Sequence, residues 1–106
     1  MGAEIYRRLL MMNLPTPWGP AQYVKDHGQG ILEVTTAGHG GIYVPNELLH
    51  LIPAKERRFA AAWSHGWGEN WYEEDCAAIS PVYHFGLRPE RMEDVKRWYN
   101  NQKWGE

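Results

Sequence analysis

A single cysteine, only two phenylalanines, no long apolar run and no strong excess of one charge mark this 106-residue chain. Each shortage excludes something. The lone thiol, Cys76, cannot close an internal disulfide, so the chain does not read as a disulfide-stapled secreted domain. The longest apolar stretches, such as "GIYVP" and "AAISPVYHF", fall far short of the roughly 20 residues that a membrane span needs. No basic segment followed by an apolar one opens the chain, so a cytoplasmic protein without membrane association is expected. A net charge of −2 with 23% charged residues makes no electrostatic commitment to a phosphate backbone, and nucleic acid is therefore not the expected partner. Repeats and low-complexity tracts are absent.

What is present is enough for one modest core, and the reading is a single domain over residues 1–106 with an N-terminal arm over 1–14. In that arm Ile5, Leu9 and Met12 recur at helical spacing with Arg7 and Arg8 between them, which predicts a short amphipathic helix or a docking arm. Thr16 is a capping candidate, and Pro20 to Asp26 reads as a short helix ended by Gly28 and Gly30. "ILEVTT" and "GIYV" are β-rich runs that pair naturally across Ala37 to Gly41 as a hairpin. Further helices are expected in "ELLHLI" with Asn46 as its cap, after Pro53, and after Pro89, where early acids and late bases match a helix dipole. "YEEDCAAIS" reads as one more, opening on its acids and ended or kinked by Pro81. The fold class is α+β: a small antiparallel sheet around a hairpin at residues 31–44, with helices mainly on one face.

Three groups of residues have chemistry to offer. In "TAGHGG" the Thr36 and His39 side chains stand beside Gly40 and Gly41, whose backbone amides could hold an anion or oxyanion. The same glycines, with Gly38, equally suit a tight turn that needs positive φ. Lacking a following Lys-Ser/Thr and leading into a strand, the loop is not a nucleotide signature. In "YEEDC" the acids Glu73, Glu74 and Asp75 precede Cys76. A helix start would lower the thiol pKa and the adjacent carboxylates would raise it. Alternatively, these are helix-start acids with a small buried cysteine. No pair of histidines, acids or cysteine shows a recognised metal spacing, so neither a metal nor another cofactor is expected. Lastly, "WSHGWGENW" sets Trp63, Trp67 and Trp71 four apart in a glycine-broken loop before Tyr72. If exposed they are candidate interface anchors, and if buried they close the core.

Together "TPWGPAQYV", "GILEVTTAGHGGIYV" and "WYEEDC" resemble an uncharacterised domain family of bacterial, plasmid and phage genomes. Its members carry a Trp-Gly-x-Ala start, a Ser/Thr-x-x-His-Gly-Gly loop and a Tyr-Glu-Glu-Asp-Cys segment. The resemblance runs from Thr16 to Ile79 and falls on Trp18, Gly19, Ala21, Thr36, His39, Gly40, Gly41 and Tyr72 to Cys76. Where the family pattern continues with Asp-Trp, this chain has Ala77-Ala78. The resemblance implies a small accessory protein of a phage or other mobile element that binds a protein partner, in one form inhibiting a host defence complex. Its expected contact residues are Trp18, Thr36, Gly40, Gly41, Trp63, Trp67, Trp71, Tyr72, Glu74 and Asp75. The acidic stretch from Glu69 to Asp75 could also imitate nucleic-acid charge against a basic partner. The alternative is a small cytosolic hydrolase or transferase with His39 as general base and Cys76 or Glu73 as nucleophile or second acid/base. Either way, His39 is expected close to the "EEDC" segment.

Overall fold

A computed structural model describes residues 13–105. The helix or arm expected at the N-terminus falls almost wholly on residues 1–12, outside the described residues. Four strands, β1 (Tyr23–Asp26), β2 (Leu32–Thr35), β3 (Gly40–Tyr43) and β4 (Trp71–Glu73), form one antiparallel sheet in sequence order. The expected hairpin is β2 and β3, with Val34 opposite Gly41 and Leu32 opposite Tyr43. Between β3 and β4 lie a 3-10 turn (Asn46–Leu51) and helix α1 (Ala54–Ala62). After β4 come α2 (Ile79–His84), a second 3-10 turn (Pro89–Arg91) and α3 (Met92–Asn101).

Alternation along β3 and β4 divides the core in two. Ile42 and Tyr72 point to the helices, where Ile52, Ala60, Val82 and Val95 bury them. Val34 and Trp71 point the other way, under Leu14, Trp18, Ala21, Val24 and Tyr43. The helices thus pack on one face, as expected, while the irregular segment 14–21 closes the second. That segment is pinned by the turn at Thr16, whose hydroxyl accepts from the Trp18 N–H (3.1 Å) and donates to the Gly19 carbonyl (2.6 Å).

Four local expectations are corrected. Pro20 to Asp26 is not a helix: Gln22 donates to the Thr35 carbonyl (2.7 Å) and Tyr23 to Asp26 pair with β2, because half-apolar residues beside an open strand gain more from the ladder than from one helical turn. "YEEDC" does not open a helix. Tyr72 and Glu73 pair with Ile42 and Gly41, and the Glu73 carbonyl then gathers the N–H groups of Cys76, Ala77 and Ala78 in a turn before α2. Cys76 consequently receives no helix N-terminus, and Pro81 sits inside the first turn of α2, where its missing N–H costs nothing. Asn46 does not cap: the 3-10 turn begins on it, and its side chain accepts from Asn70 Nδ2 (2.8 Å). Gly38, Gly40 and Gly41 do not adopt the positive φ that a hairpin turn was expected to require. Closeness explains two of them. A Cβ on Gly41 would lie 2.6 Å from the Trp18 ring and from the Tyr72 carbonyl, and one on Gly40 would lie 2.8 Å from Glu74 Oε2 and from the Val34 carbonyl.

Candidate functional site

The hairpin loop and the end of β4 meet at one corner of the sheet. Thr36 brackets the loop, its hydroxyl donating to the His39 carbonyl (2.9 Å) and accepting from the His39 N–H (3.1 Å). This holds the exposed imidazole at the mouth of β3, next to β4. The Glu74 N–H donates to the Gly40 carbonyl (2.9 Å), continuing the β3–β4 pairing past Glu73. Strand geometry therefore delivers His39 Nδ1 to 4.0 Å from Glu73 Oε1. His39, Glu73 and Glu74 converge so that one ligand atom from each lies within 4.8 Å of the others.

The electrostatics of this corner are one-sided. Glu73 is 7% exposed, and its Oε1 accepts the Asp75 N–H at 3.2 Å. Among the described residues no lysine or arginine pairs with Glu73, Glu74 or Asp75. Desolvation, together with the charges of Asp75 and Glu73, raises the Glu74 pKa above its ordinary value, and His39 offsets this only in part. Burial and the neighbouring Glu73 push the Cys76 thiol up to about 11. The carboxylate, not the imidazole, stands beside the sulfur. A nucleophile–histidine–acid triad has the opposite order, with the histidine in the middle. Gly40 and Gly41 lie in β3, flanked by β2 and β4, so their backbone is committed to the ladder rather than held open for an oxyanion.

Glu74, Asp75 and Cys76 also line a groove of about 570 Å³, together with Thr35, Arg88, Arg91 and Trp98. The Arg91 guanidinium lies 4.9 Å from the centre of the Trp98 ring. Both signs of charge therefore line the groove, with Arg88 paired to Glu33 and Arg91 to Asp94.

The expected aromatic surface divides. Trp71 and Tyr72 are buried in the two halves of the core and offer no contact surface. Trp63 and Trp67 remain 49% and 45% exposed. Trp67 rests edge-on against Trp71 (6.1 Å between centroids, 84°), and Trp63 tilts against Phe59 (6.4 Å). Trp18 links this region to the polar corner, its ring over Gly41 and its Nε1–H donating to the Trp63 carbonyl (3.4 Å). The loop itself is fixed by Ser64, whose hydroxyl reaches the carbonyls of Ala61 (3.1 Å) and Gly68 (2.9 Å). The stretch Glu69 to Asp75 is not a continuous anionic face: Glu69 pairs with Arg57 (3.3 Å), and Trp71 to Glu73 are buried.

One polar cluster escaped the sequence reading. Glu56, on α1 and 1% exposed, accepts hydrogen bonds from Ser80 Oγ (2.7 Å), His84 Nε2 (3.0 Å) and the Tyr99 hydroxyl (2.5 Å). Burial, and the hydrogen bond to Glu56, raise the Tyr99 pKa. The signal was there: Glu56 falls on the stripe of Phe59, Ala60 and Trp63, where an acid needs buried partners.

Among the described residues no helix is long and apolar enough to cross a membrane. No curated protein and no solved structure matches the chain. The resemblance read from the Trp-Gly, His-Gly-Gly and Glu-Glu-Asp-Cys segments does have a counterpart, because residues 11–105 match one family model, and the chain belongs to the family described as a domain of unknown function, DUF7007.

Proposed function

We propose that this is a small accessory protein of a phage or other mobile element that acts by binding a protein partner, which seats on Trp63 and Trp67. The observation that carries this reading is a pair of indoles left nearly half exposed on a loop that is otherwise tied down. Tryptophan is over-represented among the residues that dominate protein interfaces, and a loop already held in place loses little entropy on binding. Inhibition of a host defence complex is the specific form of this reading. Its test is affinity capture from host lysate with the parent and with the Trp63→Ala/Trp67→Ala double variant, followed by titration of the recovered partner. Loss of affinity by at least about thirtyfold, the scale of a hot spot, supports it when the circular dichroism spectrum is unchanged. Equal affinity of the two proteins, or no partner at all, overturns it.

A second reading, a hydrolase or transferase, draws on the approach of His39 to Glu73. Its cysteine version has little support, since a thiol titrating at about 11 leaves roughly one molecule in ten thousand as thiolate at neutral pH. What remains is acid–base work by His39 with Glu73. Turnover lost in His39→Ala with the fold intact would favour it over the binding module.

A further inference from the structure

His39, Glu73 and Glu74 make a donor set that neither strand could supply alone. The imidazole comes from the mouth of β3 and the two carboxylates from the end of β4, with the Glu74-to-Gly40 backbone bond fixing their register. From this convergence we propose that the corner is a divalent-cation site for an ion of the zinc or manganese kind, held by one imidazole and two carboxylates. It is independent of the partner-binding surface and does not rest on that reading.

Distance is the first argument. Ligand atoms bound at about 2.1 Å around a tetrahedral ion stand roughly 3.4 Å apart. The His39–Glu73 separation of 4.0 Å and the outer limit of 4.8 Å are close to that, and the two exposed side chains, His39 and Glu74, need only rotate slightly to close the gap. The buried Glu73 need not move, because the Asp75 N–H already orients its carboxylate, as outer-shell donors do at metal sites.

Charge is the second and separate argument. A carboxylate that is more than nine-tenths buried normally has a cation or several donors to compensate it. Glu73 has neither a lysine nor an arginine among the described residues, and two further acids adjoin it. The His39 imidazole, a metal-ligating group, is the basic side chain paired with it among the described residues. The donors to Glu73, the Asp75 N–H and the Cys76 thiol, are uncharged, and an ion of charge +2 would add the cation that this arrangement of three acids lacks among the described residues.

The third argument is room. Gly40 leaves the space in which the Glu74 carboxylate lies, since a Cβ there would be 2.8 Å from Oε2. Three protein donors also leave coordination positions for water or for a group entering from the groove at Glu74.

The test is titration of the full chain, first stripped with a chelator, with Zn²⁺ alone and with Mn²⁺ alone, followed by calorimetry and by the shift in thermal midpoint. The expected result is one ion per chain for at least one of the two metals, with affinity reduced at least about tenfold by His39→Ala and by Glu74→Gln. Substitution of His50, an exposed histidine on the 3-10 turn, should leave binding unchanged. Both diagnostic side chains are exposed, so the variants should fold, and circular dichroism confirms it. Absence of stoichiometric binding by either ion, or binding that survives both substitutions, overturns the proposal.

Discussion

Two buried glutamates have opposite surroundings. Glu56 joins three helices: it belongs to α1, takes hydrogen bonds from Ser80 and His84 on α2 and from Tyr99 on α3, and Tyr83, next to His84 in the chain, stacks on Tyr99 (4.1 Å, 9°). Its demand for donors is met inside the fold. Glu73 ends a strand beside two more acids, and the basic group paired with it among the described residues is an exposed imidazole 4.0 Å away. A buried charge that is fully partnered stabilises or specifies a structure, whereas one left short marks a place where the fold alone does not explain the residue. Glu33 falls on the Glu56 side of this divide, bound by His27 (2.8 Å) and Arg88 (2.7 Å).

The comparison can be broken most forcefully at Glu56. Glu56→Ala should cost about 2–4 kcal/mol, because it strands one buried donor, Ser80, and two partly buried ones, His84 and Tyr99, and urea unfolding will read it. A cost below about 1 kcal/mol would mean that the network is not what joins the helices. The next largest effect concerns chemistry at the polar corner. Alkylation of Cys76 by iodoacetamide at pH 7.5 should run roughly two orders of magnitude slower than for a free thiol, and should accelerate as pH approaches 11. Fast alkylation at neutral pH would restore the cysteine nucleophile.

A smaller effect tests the partnered side through pH. Burial pushes the Glu33 pKa up, but the hydrogen bonds and charges of His27 and Arg88 outweigh it and hold the carboxyl below its ordinary value of 4.5. An acid whose pKa is depressed by folding contributes stability above its unfolded pKa and loses it as pH falls through the folded one. Glu33→Gln should therefore cost about 1 kcal/mol at pH 7, and the difference from the parent should shrink below pH 4. A difference that persists at pH 2.5 would show that packing, not charge, gives Glu33 its role.

The legible parts of the fold were those whose signals are local. "ILEVTT" and "GIYV" declare strands by their β-branched residues, and the helices after Pro53 and Pro89 declare their starts. Pro20 to Asp26 and "YEEDC" were misread because each is too short to choose a conformation for itself: β2 recruits the first and β3 the second. The nearness of His39 to the acids was legible, since two polar motifs on neighbouring segments of so small a chain share an edge easily. The roles of Gly40 and Gly41 were not, because what they accommodate, Glu74 and the Trp18 ring, comes from distant parts of the sequence. His39, Glu73 and Glu74 were named as candidates, but not as a cation donor set, because a spacing rule within one helix or loop does not see a set completed across a sheet. Trp71 and Trp67 illustrate the aromatics: Trp67, between two glycines in a loop, stays nearly half exposed, whereas Trp71, on β4, turns inward.

The smallest expected effect is also the most direct test of the central claim, that the acids at the end of β4 are held together for binding and not for folding. Denaturant unfolding of Glu74→Gln at pH 7, with a chelator present, compares the variant with its parent when no cation can contribute. Desolvation and the charges of Asp75 and Glu73 disfavour the ionised Glu74, so removing its charge should leave stability unchanged or raise it by up to about 0.5 kcal/mol. A loss of more than about 1 kcal/mol would contradict the account, because it would make Glu74 a structural partner in the manner of Glu56.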